Sequence, residues 1–173
     1  MNSLATPAAG AVAVPGKYLT ITLAREGYSI PVIKVREIIR YQKVTPVPQL
    51  PAHVKGVINL RGRIIPVLDL RVQFGLDAGH DDRTCIVVVT ITLASSRGLQ
   101  MGLIVDSVEE VSTVGARDIE PTPEFGHVVT TEYLLGVAKI RGEVKMLLNI
   151  DRLLEPSALS QIAAADAVPA TTP

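Results

Sequence analysis

The sequence predicts a mainly β protein made of two small barrels that share one hydrophobic core, with a few short helices. Three observations carry the prediction. The chain is 47% hydrophobic with no Trp, two Phe and four Tyr, so its core must be built from Val, Ile and Leu, which favour strands. An ordered internal repeat runs through it. Two matching apolar runs, each broken by an Arg-Gly pair, read as hairpins. At 173 residues the chain suits one domain of ordinary size and is too short for two large ones.

Taken in order, residues 1–16 are Ala-, Pro- and Gly-rich and read as a loose tail. TITLA at 20–24 alternates as a half-buried strand does, and it recurs at 90–94. SIPVIKVREII at 29–39 matches GLIVDSVEEVS at 102–112, pairing Val35 with Val108, Glu37 with Glu110 and Ile38 with Val111. Both copies read as a strand leading into a helical turn, the second capped by Asp106 and Glu109. Pro46 and Pro48 match Pro121 and Pro123 and stop what precedes them. GVINLRGRIIPVLDL at 56–70 aligns with GVAKIRGEVKMLLNI at 136–150. In each hairpin the Arg-Gly pair occupies the tight turn, where Gly takes positive φ without steric cost. Pro66 places its strand at a sheet edge or at a bulge. The offsets of the four matches rise through 70, 73, 75 and 80, as expected of a duplication with small insertions. The repeated subdomains span about 17–76 and 84–155, joined by the polar segment GLDAGHDDR. From Pro156 onward a short helix precedes a frayed end.

Function is expected between Lys17 and Glu155. Cys85 is the one cysteine, which excludes an internal disulfide and fits the reducing cytosol. No apolar run reaches the roughly 18 residues of a spanning helix, and the N-terminal segment lacks the basic start of a signal peptide. No phosphate loop, paired-histidine metal signature or serine elbow is present. His80, Asp81 and Asp82, with His53 or His127, have no ligand spacing and read as solvated loop residues. Cys85 heads an apolar strand and packs as a small hydrophobe. Thr131 and Tyr133 read as structural. Neither cofactor nor metal is expected, and binding is left as the protein's business.

The charge is lopsided although the net is zero. Residues 17–76 hold ten basic and three acidic side chains, a net of +7, and residues 77–155 hold seven and thirteen, a net of −6. Such a dipole either solubilises two surfaces or pairs copies and relatives head to tail into rings or arrays. For a single-stranded nucleic acid the first half offers only Tyr18, Tyr28, Tyr41 and Phe74 as stacking platforms.

PVPQLPAHVKGVINLRGRIIPVLDLRVQFGL, with IKVREII before it and GLIVDSVEEV and FGHVVTTEYLLGVAKIRGEVKMLLNI after it, closely resembles the CheW-like domain of bacterial chemotaxis coupling proteins, over about Gly16 to Glu155. The resemblance implies two five-stranded, SH3- or OB-like barrel subdomains with strands exchanged between them. It implies a non-catalytic, cytoplasmic adaptor that links the cytoplasmic tips of chemoreceptors to a CheA-type histidine kinase, whose regulatory domain is a paralogue, in membrane-associated arrays. It maps a receptor-binding groove onto Leu19, Val32, Val35 and Val108 with Glu37 at the rim. It places a coupling hairpin at Gly56, Asn59, Leu60, Arg61 and Gly62. Arg141 and Gly142 repeat that turn without an assigned role. The alternative is a barrel that binds a small ligand or single-stranded nucleic acid.

Overall fold

A computed structural model of the chain describes residues 13–93, 98–121 and 133–153. The first half of the chain forms β1 (Gly16–Leu23), β2 (Glu26–Pro31), a 3-10 turn (Val32–Lys34), β3 (Val35–Arg40), β4 (Val54–Leu60), β5 (Arg63–Asp69) and a one-turn helix, α1 (Leu70–Gln73). The second half repeats the plan with β6 (Cys85–Thr92), β7 (Gly98–Val105), β8 (Ser107–Val114), the two-residue β9 (Ile119–Glu120), β10 (Leu134–Ile140) and β11 (Glu143–Leu148).

These strands form two sheets. One has the order β3-β6-β7-β5-β4 and the other β8-β1-β2-β11-β10-β9. Under the sequence repeat, β3, β6, β7, β5 and β4 correspond to β8, β1, β2, β11 and β10, so the orders coincide strand for strand. Each half therefore gives its first hairpin to the other half's sheet. Segments 17–76 and 84–155 are repeats in sequence, and neither is a barrel by itself.

Both sheets close in the same way. Thr45 and Val57 exchange two backbone hydrogen bonds of 2.9 Å, which ties the extension of β3 to β4. In the other sheet Glu120 of β9 pairs with Val137 of β10. Thr45 and Glu120 are separated by the same 75 residues as Pro46 and Pro121. The sixth strand is thus the counterpart of an isolated bridge, and each barrel rests on five principal strands. Close approach at the closure needs glycine. Gly56 has φ +139°, and a Cβ there would overlap the Thr45 carbonyl.

Alternation along the strands sorts the apolar side chains into three cores. Ile58, Ile65, Val67, Ile86, Val88 and Ile104 fill the barrel of β3 to β7. Tyr18, Val114, Ala138, Ile140 and Leu147 fill the other. The largest cluster lies between the barrels, where Leu19, Ile21, Leu23 and Ile30 meet Val87, Val89, Ile91, Met101, Leu103 and Val105. Each fully buried aliphatic side chain contributes about 1.5–3 kcal/mol, and exchanging hairpins places the strands of both halves around this common interior.

Pro66 sits in β5, which lies between β7 and β4 and is not an edge. The register explains how it is tolerated: Pro66 faces Val57 of β4, while the parallel pairing with β7 begins one residue later, at Val67. The second helical turn expected from the repeat is absent. Asp106 follows β7 directly and residues 107–114 are strand, so Glu109 and Asp106 form no helix cap. Asp106 instead accepts from the Ala24 backbone N–H at 2.7 Å, and Glu109 accepts from the Thr22 hydroxyl.

Exchange does not dissolve the charge dipole. Among the described residues, the segments that build the barrel of β3 to β7, 32–76, 84–93 and 98–105, carry eight basic and two acidic residues. Those that build its partner, 17–31, 106–121 and 133–153, carry seven and eight.

Candidate functional site

The sequence-predicted groove residues all belong to the shared core between the barrels or to its margin. Leu19 on β1 is buried within the shared core, and Val32, Val35 and Val108 are half-buried and packed against it. The three valines come from the 3-10 turn, β3 and β8, elements that belong to both barrels.

A duplicated β-bulge sets their direction. On β3, Val35 faces Val89 and Glu37 faces Val88, leaving Arg36 extra. On β8, Val108 faces Ile21 and Glu110 faces Thr20, leaving Glu109 extra. Arg36 and Glu109 are repeat mates, and each is fastened to a threonine: Arg36 Nε donates to Thr90 Oγ1 at 2.7 Å, and Thr22 Oγ1 donates to Glu109. A bulge bends its strand and re-aims the side chains around it, here a valine before it and a glutamate after it in both copies.

The sequence-predicted coupling hairpin is the β4–β5 hairpin of the first barrel. Arg61 (φ +53°) and Gly62 (φ +85°) both adopt left-handed backbone, the signature of the two-residue turn that matches strand twist. Asn59 Oδ1 accepts from the Gly62 backbone N–H at 2.8 Å, Leu60 packs toward the barrel interior, and Gly56 admits the closing strand. The turn then reaches β3: Arg61 Nη1 and Nη2 donate to the two carboxylate oxygens of Glu37 at 2.5 and 2.6 Å. Groove rim and hairpin are one connected element. The hydrogen bonds from Arg61 hold the Glu37 carboxyl below its ordinary pKa, and Glu37 raises that of Arg61 in return. Arg61 stays 71% exposed in this fork, so its free face is presented to solvent with a fixed orientation.

Both barrels present apolar side chains at matching places. Ile38 and Ile64 on one, and their repeat mates Val111 and Val144 on the other, are 46–62% exposed. Ile33, in the 3-10 turn of the seam, is 85% exposed. Solvated β-branched side chains kept in duplicate are a feature that sequence reading passed over, although the repeat alignment marks the Ile38–Val111 pair.

A second feature it passed over is Arg71, which is fully buried. Its Nε and Nη2 donate to Asp69 at 2.9 and 3.0 Å, and its Nη1 donates to Asp106 at 2.8 Å and to the Gly79 carbonyl. Burial opposes its charge, but the hydrogen bonds to Asp69 and Asp106 outweigh burial and raise its pKa. Asp69 also caps α1 through the Arg71 N–H. This cluster joins the end of the first half to the β7–β8 corner. The Asp-x-Arg at the end of an apolar strand, LDLR, was the available signal.

The remaining candidates take structural places. His80 stacks on Tyr41 with ring centroids 4.1 Å apart, and Asp81 accepts from the Arg83 N–H at 2.7 Å. Among the described residues no three ligand-type side chains converge as a metal site, and His127 and Thr131 lie outside them. Cys85 is half-buried against the shared core, and burial raises its thiol pKa. Tyr133 packs on Phe74 at 5.8 Å. Tyr18 is buried, and Tyr28 packs beside Phe74, so neither aromatic ring is free to stack on a base.

Comparison with known proteins agrees with this fold. The family model of the CheW-like domain matches residues 17–157. The chemotaxis protein CheW of Klebsiella aerogenes is 35% identical over 147 residues, covering 84% of this chain and 86% of the relative. Protein FrzA of Myxococcus xanthus is 34% identical over 130 residues, covering 73% and 77%. The crystal structure of the scaffolding protein TtCheW from Thermoanaerobacter tengcongensis superposes with a TM-score of 0.74 at 32% identity, covering 84% of this chain and 96% of that one.

Proposed function

The chain belongs to the CheW-like family, and from that premise we propose that it is a chemotaxis adaptor coupling methyl-accepting chemoreceptors to a CheA-type histidine kinase. The observation that carries the reading is the Arg61–Glu37 fork, which joins the proposed receptor groove to the proposed coupling hairpin. The groove, floored by Leu19 and lined by Val32, Val35 and Val108, suits one face of a helical receptor tip, since a helix docks by laying an apolar stripe into an apolar trough. Gly56, Asn59, Leu60, Arg61 and Gly62 form a rigid hairpin whose arginine contacts the kinase or a neighbouring receptor.

The kinase's regulatory domain, a paralogue, docks on the duplicated apolar positions. Ile38 and Ile64 serve one neighbour, Val111 and Val144 the other, and the unequal charge of the two barrels favours head-to-tail order and rings. No chemistry is assigned to the chain. No described helix is long and apolar enough to cross a membrane, and attachment to arrays proceeds through the receptors. A nucleic-acid barrel is disfavoured because Tyr18, Tyr28 and Phe74 are committed to packing.

The test is co-sedimentation with receptor-bearing membranes and kinase, scoring phosphorylation with and without the protein. Kinase attachment and activity should rise with its addition. Indifference of both to its presence would sink the adaptor reading.

A further inference from the structure

A cleft of about 650 Å³ opens where the seam meets the linker, lined by Thr22, Arg25, Arg83, Cys85, Val108 and Glu109 among others. Val108 belongs to the proposed groove, so cleft and groove are continuous. The floor is apolar, from Val108 and Cys85. Arg25 and Arg83 supply the charge, and among the described residues neither guanidinium has an ion-pair or hydrogen-bond partner. Asp106 is neutralised by Arg71, and Glu109, which lines the cleft, accepts from the Thr22 hydroxyl and keeps its charge, so the two arginines of the lining outnumber its one carboxylate.

The position of Arg25 is built. It lies with Ala24 in a tight turn, both with positive φ, +72° and +50°. The Ala24 N–H is held by Asp106, which is held in turn by the buried Arg71. A cationic side chain carried on a held turn beside an apolar floor and a groove suited to a helix matches a helical segment with an acidic side chain next to its apolar stripe.

Resting on the adaptor reading, we propose that this cleft receives an acidic side chain of the chemoreceptor's helical tip, with Arg25 and Arg83 as the specificity-determining groups. The apolar groove supplies contact area. The two arginines discriminate among tips by the placement of their carboxylates.

The experiment is calorimetric titration of the full chain with a soluble cytoplasmic hairpin fragment of a chemoreceptor, at low and high salt. Arg25→Asn combined with Arg83→Ala should weaken binding about five- to tenfold, as expected for two exposed charge contacts, and flatten its salt dependence. Asn tolerates the positive φ at position 25. Arg25→Lys with Arg83→Lys should keep most of the affinity. Val108→Asp, in the groove itself, is the second arm. Full affinity in the Asn/Ala variant together with loss in Val108→Asp would overturn the assignment of the arginines and leave the adaptor reading standing. Absence of binding by the unaltered chain would overturn both.

Discussion

The two Arg-Gly hairpins share a backbone and differ in what fastens them. Gly56 faces Val67 and Leu60 faces Arg63; Gly136 faces Leu147 and Ile140 faces Glu143, the same register displaced by 80 residues. Arg61 and Arg141 have the same φ of +53°. Even the ion pair is duplicated, since Arg141 approaches Glu110, the repeat mate of Glu37. Yet Arg61 forms a two-bond fork at 2.5 and 2.6 Å, whereas Arg141 makes one contact at 3.1 Å. Asn59 locks the first turn, and its counterpart, Lys139, reaches away to Glu120 at 3.8 Å. Backbone geometry follows from closing a barrel and is kept in both copies. The side-chain locks are local additions: the second copy keeps a single-contact ion pair and lacks the amide that holds the first turn.

The ends of the two halves repeat the lesson with charges reversed. Arg71, at the end of the first, binds Asp106 in the β7–β8 corner; Asp151, its repeat mate, binds Lys34 in the β2–β3 corner at 3.0 Å. In the first clamp Arg71 and its other partner Asp69 are buried and only Asp106 is partly exposed, whereas in the second both Lys34 and Asp151 are about one-third exposed. Arg71→Ala should therefore cost about 3–5 kcal/mol in urea unfolding, because Asp69 and Asp106 are left as carboxylates without their cation, while Lys34→Ala should cost less than about 1 kcal/mol. Equal losses would dissolve the contrast between the clamps.

Next in size are the barrel closures. Gly56→Ala drives a methyl into the Thr45 carbonyl, and Gly136→Ala brings one to 2.7 Å from the Glu120 carbonyl. Both variants should unfold at lower denaturant, Gly56→Ala by at least about 2 kcal/mol and by more than Gly136→Ala. The reverse order would show that the second closure is the tighter.

The turn locks come third. Asn59→Ala should cost about 1 kcal/mol for the lost acceptor, and Lys139→Asn should recover a similar amount by giving the second turn the acceptor it lacks. No gain in Lys139→Asn would mean that the two turns differ in backbone and not only in side chains.

The smallest effect on stability belongs to Arg61, and it separates structure from function. Arg61→Glu should leave the thermal midpoint nearly unchanged and weaken kinase coupling, whereas Arg141→Glu should leave coupling intact. Its link to Glu37 has a pH signature. The Glu37 pKa is depressed in the folded state, so the contribution of the pair is full above the ordinary glutamate pKa and is lost as pH falls through the lower folded value. A side-chain NMR titration should find Glu37 below the ordinary value, moving upward in Arg61→Ala. An unmoved titration in that variant would show that the fork is not populated in solution.

Sequence alone determined a good deal: the β-rich composition, the duplicated order of elements, the tight turns and the family resemblance. These are properties of consecutive residues, where alternation, Gly and Pro act locally. It placed Glu37 and Arg61 in separate roles and could not see that they touch, because 24 residues lie between them and strand pairing brings them together. It extended the helical turn at Val32–Lys34 to the second copy, where the side chain of Asp106 takes the Ala24 N–H and β8 begins at once. It left Arg71 among ordinary surface charges, since nothing in a lone Asp-x-Arg announces burial. Exchange of strands entered the sequence reading only through the family resemblance, and the tertiary structure decided which strands: each half lends its first hairpin to the other. Pairing energies between like, Val-rich strands are nearly interchangeable along the chain, and the choice is made by which arrangement buries the outer faces of β1, β2, β6 and β7 against one another.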